Sequence, residues 1–145
     1  MVKRLDEPID HVGWDLWQAA AAWQRRFQAD MVATGHSWFA EARAGVLAHL
    51  DRTGTRQSDL AARMGISKQA IQQFIDGLVA DGIVERRADP TDARARWVVL
   101  TARGRKVHAD ADRIKRAIEA EWRKRLGKSA FAALRRALQD VGRAQ

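Results

Sequence analysis

Between Ser67 and Thr101 the chain reads SKQAIQQFIDGLVADGIVERRADPTDARARWVVLT, and few folds accommodate that succession. Ser67 stands where a helix N-cap belongs. Ile71, Phe74, Ile75, Leu78 and Val79 then recur at the three- and four-residue spacing of one buried helix face. Gly82 closes that helix, and Ile83–Arg87 reads as extended chain. Asp89-Pro90-Thr91-Asp92 is a turn tetrapeptide, because Pro90 presets the backbone angle of a turn residue. Arg94–Leu100 returns as a β-branched and aromatic strand. A helix followed by a tight basic hairpin is thereby expected.

The rest of the chain reads as helices around this unit. Leu16, Ala20, Trp23, Phe27 and Met31 form a helical stripe over Val12–Thr34, with Asp10 as candidate cap and Gly35 as terminator. Ser37 is placed to cap a second helix to Leu50, with Phe39, Val46, Leu47 and Leu50 inward, and Thr53-Gly54 breaks it. A short helix over Thr55–Met64 ends at Gly65. After the hairpin, Thr101 caps a long helix striped by Val107, Ala111, Ile114, Ile118, Trp122 and Leu126. Gly127 breaks it, and a last helix from Ser129 carries Phe131, Leu134, Leu138 and Val141. The expected order is α-α-α-α-β-β-α-α in a single domain over 1–145, mainly α with some β (α+β), in which 37–101 is a winged helix-turn-helix lobe.

At 145 residues the chain is long enough to bury a core. A net charge of +8 points to an anionic partner, nucleic acid before membrane surface. The absence of cysteine excludes disulfides, thiol redox sensing and cysteine zinc sites. No apolar segment follows MVKRLDEPID and no apolar run reaches membrane-spanning length, so the chain is expected in the cytoplasm. His11, His36, His49 and His108 are scattered, with no HExxH pair, and zinc has nothing positive behind it; no metal or cofactor is expected. There is no G-x-S-x-G elbow or phosphate loop, and Asp110 and Asp112 lie on a charged helix face, so an enzyme is not expected.

The two helices joined by Gly65-Ile66 make a helix-turn-helix, and the hairpin makes it winged. Arg56, Gln57 and Ser58 stand at the start of the first of these helices, where free amides favour phosphate. On the second, Ser67, Lys68, Gln69, Gln72, Gln73 and Asp76 lie off the apolar stripe. Glutamine matches the adenine edge through two hydrogen bonds. Arg94 and Arg96 flank the wing tip, and an arginine on a thin hairpin suits the negative potential of a narrow minor groove. Asp92 belongs to this surface as a brace that orients the arginine or caps the turn. The bland alternative is a solvated helix face; the agreement of helix, partner helix and wing favours double-stranded DNA.

The run from Ser58 to Gly104 resembles the MarR (multiple antibiotic resistance regulator) family of transcription factors. The resemblance rests on DLAARMGIS, on L-x-x-x-G-x-V-x-R over Leu78–Arg86, on D-P-x-D-x-R over Asp89–Arg94 and on L-T-x-x-G over Leu100–Gly104. It implies a homodimer whose recognition helices enter successive major grooves of a pseudopalindromic operator, with a wing arginine in the minor groove. By that likeness Ser67, Lys68, Gln69, Gln72 and Gln73 fall at base- and phosphate-contacting positions and Arg94 at the wing position. Trp97 either packs under the wing or stiffens it.

Apolar positions such as Trp14, Trp17, Ile114, Ile118, Trp122, Phe131, Leu134 and Leu138 exceed what a small winged core covers. Helices over 10–34 and 102–142 are therefore expected to form a homodimer, which places each lobe on one half-site; the alternative is a larger monomeric core. The resemblance implies the same use of the end helices. Six tryptophans and no tyrosine, with Trp14, Trp17, Trp23 and Trp38 in the first two helices, suggest aromatic walls. With His36 and Arg43 nearby, Trp14, Trp17 and Trp38 are the candidate ligand-binding residues for a small aromatic carboxylate or phenol. Filling of a dimer core is the alternative use of these rings. The function expected is a sequence-specific DNA-binding regulator, a repressor relieved by such a ligand. A ligand-independent DNA-architectural protein or a winged-helix protein-interaction module is the alternative.

Overall fold

The computed structural model describes residues 9–143. Its elements are α1 (Val12–Ala33), two 3-10 turns (Ser37–Ala40 and Ala42–Gly45), α2 (Val46–His49), β1 (Thr55–Arg56), α3 (Gln57–Met64) and α4 (Lys68–Ala80). The hairpin strands β2 (Val84–Ala88) and β3 (Arg96–Leu100) follow, then α5 (Ala102–Leu126) and α6 (Lys128–Arg143). The fold is the expected mainly helical winged helix-turn-helix with further helices at both ends.

Local chemistry explains most boundaries. The Ser67 hydroxyl accepts from the Ala70 amide at 3.0 Å and starts α4. The Thr101 hydroxyl accepts from the Gly104 amide at 3.0 Å and starts α5. Gly65 ends α3 at φ 65°, a left-handed angle that lets the chain turn directly into α4. Gly104 is needed for space: a Cβ there would lie 2.0 Å from the Ile83 carbonyl oxygen. The glycine of the L-T-x-x-G run thus lets α5 start hard against the strand leading into the wing.

Three expectations about local structure need correction. The N-cap of α1 is His11, not Asp10: His11 is extended, and its Nδ1 accepts from the Trp14 amide at 3.3 Å. The helix expected over Ser37–Leu50 is broken into the two 3-10 turns and the one-turn α2, with Glu41 extended between the turns. Adjacent Trp38 and Phe39 are both buried, which a regular helix with about 100° between neighbours does not favour. Gly45 then weakens helix propensity further. Finally, Thr55 and Arg56 form a strand rather than the first turn of a helix. They pair antiparallel with the outer edge of β3, Thr55 opposite Val98 and Arg56 opposite Trp97. This makes a third strand in the order β1-β3-β2. Two residues are too few to show a period, and only the partner strand makes them extended.

The core runs from Phe27 and Met31 of α1 through Val46, Leu60, Ile71, Ile75 and Leu78 to Val98 and the inner stripe of α5. An exposed two-pronged ion pair between Arg26 and Glu121, both contacts at 2.8 Å, links α1 to α5.

Candidate functional site

Burial of Ile71, Ile75 and Leu78 fixes which way α4 faces. The opposite face exposes Lys68, Gln69, Gln73 and Asp76, and leaves Gln72 half-buried. Among the described residues, the side chains of Lys68, Gln69 and Gln73 make no internal hydrogen bond or ion pair, so their donors and acceptors are available to a partner. Ser67 has its oxygen turned to the helix amides. Ser58 is exposed on α3.

Gln57, Gln72, Asp76 and Arg86 form a closed ring across α3, α4 and β2. Arg86 Nε donates to Gln57 Oε1 at 3.0 Å, and Gln57 Nε2 donates to Gln72 Oε1 at 2.9 Å. Gln72 Nε2 donates to Asp76 Oδ1 at 3.1 Å, and Arg86 closes the circuit on Asp76 Oδ1 at 2.7 Å. The Arg86 guanidinium holds the Asp76 carboxyl below the usual carboxylate range, with Gln72 adding to the effect. Gln57 and Gln72 are thus bound to neighbours rather than free, unlike the open helix face expected from the sequence. Arg86, the last residue of the L-x-x-x-G-x-V-x-R run, was visible as a motif but not as a partner of α4.

Another anchor fixes the wing tip. Asp89 is buried, and its carboxylate accepts from the backbone amide and the hydroxyl of Thr91, each at 2.8 Å, and from Arg56 Nε at 2.7 Å. The Thr91 amide first, and then the Arg56 guanidinium, hold the Asp89 carboxyl down at about 2. Arg56 is therefore tied to the wing rather than offered to phosphate at the start of a helix, because β1 carries it alongside the hairpin. Asp89 was legible only as a turn residue; its habit of binding amides two residues on was the available signal.

Asp92 caps the turn: its Oδ1 accepts from the Arg94 amide at 3.0 Å. Arg94 lies in that turn rather than in β3, which starts at Arg96. Arg94 and Arg96 are exposed and form no ion pair among the described residues. Trp97 braces the wing from the side, donating from Nε1 to the Thr53 carbonyl at 3.1 Å. The arrangement offers two arginines on a stiff hairpin beside a helix face bearing lysine and two unbound glutamines.

A separate cavity of about 780 Å³ opens between α1, the 3-10 turns, α2, α5 and α6. Trp23, Phe27, Phe39, Trp122 and Phe131 supply aromatic walls, with Lys115 and Arg135 as cations among the lining residues. The candidate ligand residues are placed elsewhere. Trp14 and Trp17 stack on each other, centroids 5.1 Å apart, on an exposed face of α1, and neither lines the cavity. Trp38 is buried, with the Arg43 guanidinium 5.8 Å from its ring centre. Arg43 pairs with Glu41 at 2.7 Å and Asp81 at 2.6 Å, and His36 Nε2 lies 3.0 Å from Asp110. None of these five lines the cavity. Nearness in sequence was a poor guide, because helix phase and the 3-10 turns direct these side chains to different faces. The stripe Leu16-Ala20-Trp23-Phe27 was the better signal, since all four line the space. Among the described residues there is no cluster of potential metal ligands, and no helix is long and apolar enough to cross a membrane.

Residues 41–95 match the model of the MarR family. Solved structures share the fold over nearly the whole chain. Rv1404 from Mycobacterium tuberculosis is 22% identical, with a TM-score of 0.76 and 98% of each chain covered. The reduced form of MarR from E. coli is 21% identical, with a TM-score of 0.75 over 93% of this chain and 98% of that one. The transcriptional regulator PA3341 is 28% identical, with a TM-score of 0.72 over 90% and 95%. No curated protein matches the sequence.

Proposed function

With residues 41–95 belonging to the MarR family of winged helix-turn-helix transcription regulators, we propose that this protein is a homodimeric, sequence-specific DNA-binding regulator. One observation carries the reading: the unbound Lys68, Gln69 and Gln73 of α4 stand on the same lobe as the unpaired Arg94 and Arg96 of a braced wing. Glutamine side chains read base edges in the major groove, and an arginine tip suits the minor groove. In this reading Ser67, Ser58 and Lys68 meet phosphate or bases. Arg56, Gln57 and Asp92 hold the reading surface in shape, and Gln72 reads from within it. The end helices, over 10–34 and 102–142, pair two copies and set the spacing of two half-sites. Exposed Trp14, Trp17, Leu126, Leu138 and Val141 on α1, α5 and α6 support that pairing.

The test is selection of bound fragments from genomic DNA, followed by footprinting and a salt titration. A protected pseudopalindrome, with affinity falling steeply as salt rises, supports the reading. Salt-insensitive or absent DNA binding favours a protein-interaction module. We further propose a repressor released by a small aromatic acid or phenol held in the cavity between α1 and α5, with Lys115 or Arg135 as the anion's partner. Trp14, Trp17, His36, Trp38 and Arg43 would then act at one remove or in the dimer. Calorimetry with benzoates and cinnamates that shows no heat of binding, or operator affinity unmoved by them, counts against the effector and favours a ligand-independent architectural role.

A further inference from the structure

The ring on the lobe has a direction. Arginine can only donate and an ionised carboxylate can only accept. Arg86 therefore obliges Gln57 to present its oxygen on that side and its nitrogen to Gln72. Gln72 must answer with its oxygen, which turns its nitrogen toward Asp76. Asp76 can accept that bond, and Arg86 holds it in place from the other side. An amide free to rotate offers a base either a donor or an acceptor; both ends of this chain forbid the reversed arrangement.

Resting on the DNA reading above, we infer that Arg86 and Gln57 are positioning residues that set the polarity of Gln72 at the base edge. Gln72 holds its nitrogen on the α4 side, 3.1 and 3.3 Å from the two Asp76 carboxylate oxygens, and its oxygen on the α3 side. The oxygen keeps its second lone pair, so a base edge meets donor and acceptor at Gln72 in one fixed order rather than in either. That order selects the base pair whose acceptor and donor stand opposite it. Gln69 and Gln73, whose amides have no partner among the described residues, can turn to either order. Neither Gln57 nor Arg86 touches a base in this scheme, yet both decide what Gln72 reads.

The polarity can be reversed without breaking the ring. In Q57E the side chain at position 57 only accepts, from Arg86 and from the Gln72 nitrogen, and the Gln72 oxygen turns toward the Asp76 carboxylate, which repels it. Adding D76N places an amide N–H there, while its oxygen still accepts from Arg86. The double variant Q57E/D76N keeps four links and the net charge, with the Gln72 amide turned round.

Randomised half-sites would be selected with the wild type, with Q57E/D76N and with Q57A, alongside thermal melts and salt titrations. The expected result is an unchanged melting temperature and salt slope for the double variant. Its preference at one base pair per half-site changes about tenfold, toward the base pair that presents donor and acceptor in the opposite order. Q57A, which only deletes the link to Gln72, relaxes the preference at that same base pair. A merely structural ring would lower affinity evenly across sequences. An even loss in Q57A, or the wild-type motif retained by a folded double variant, overturns the inference. A wild-type protein that selects no sequence overturns instead the DNA reading on which it stands.

Discussion

In the winged lobe Leu60, Ile71, Ile75, Leu78, Val84 and Val98 are at most 1% exposed, whereas on α1, α5 and α6 Trp14, Trp17, Leu126, Leu138 and Val141 stand 45–63% open. The polar groups differ in the same way. The lobe closes Gln57, Gln72, Asp76 and Arg86 on one another and buries Asp89 against Thr91 and Arg56. The ion pairs of the long helices, such as Arg135 with Glu119 at 3.1 Å, lie on the surface, where such pairs contribute little. A short element with one narrow apolar stripe can be covered by its neighbours within a single lobe. The long end helices carry apolar side chains on more than one face, and part of that surface stays open. The lobe thus closes its core within one chain, while the end helices keep large apolar side chains open.

The junction between the two regions gives the largest expected effect. Gly104→Val should cost about 3 kcal/mol, because its Cβ would collide with the Ile83 backbone. A thermal melt unchanged by this substitution would show that α5 is not seated on the lobe as tightly as described. Next, Leu138→Asp tests the open face of α6. If a second copy covers it, the substitution weakens pairing by about 2 kcal/mol, read by sedimentation at several concentrations, and leaves melting of the lobe core in place. Unchanged mass would sharpen the contrast in the opposite sense, making the end helices a solvated or differently covered surface.

Within the lobe, Gln73→Ala and Arg94→Ala should each weaken binding to a selected site by about 1–3 kcal/mol. The glutamine should relax base preference, and the arginine should also lower the salt slope. Affinity unmoved by Arg94→Ala would remove the wing from the interface. The smallest effect concerns pH. Asp89 is held down at about 2, below the ordinary carboxylate value of 3.8, so its contribution to stability is present above that ordinary value. It is lost as pH falls from about 4 toward 2. The Trp97 indole resonance should report loosening of the wing over that window. Asp89→Asn should flatten the change; an equally steep change in the variant would assign the loosening to other carboxylates.

Much of this was legible in residue order. Ser67 and Thr101 cap the helices they were expected to cap, Gly65 and Gly127 end the helices before them, and the basic hairpin lies where its turn tetrapeptide put it. The stripe of α1 pointed to the cavity more faithfully than the neighbouring Trp14, Trp17 and Trp38 did. Other features were hidden. Thr55–Arg56 became a strand through Val98 and Trp97, over forty residues away. Ser37–Leu50 looked helical, but burial of both Trp38 and Phe39 broke it into turns.

Capping, turn formation and helical periodicity act over a few residues, so the order of amino acids alone determined most of the helices, the wing and the kind of surface they carry. Which polar side chains remain free was decided only in three dimensions. Gln72 is joined to Gln57 fifteen residues away, and Arg56 to Asp89 across thirty-three. Hydrogen bonds are directional and each group has few to make, so a partner brought in by the fold removes a side chain from use that its sequence neighbours leave open.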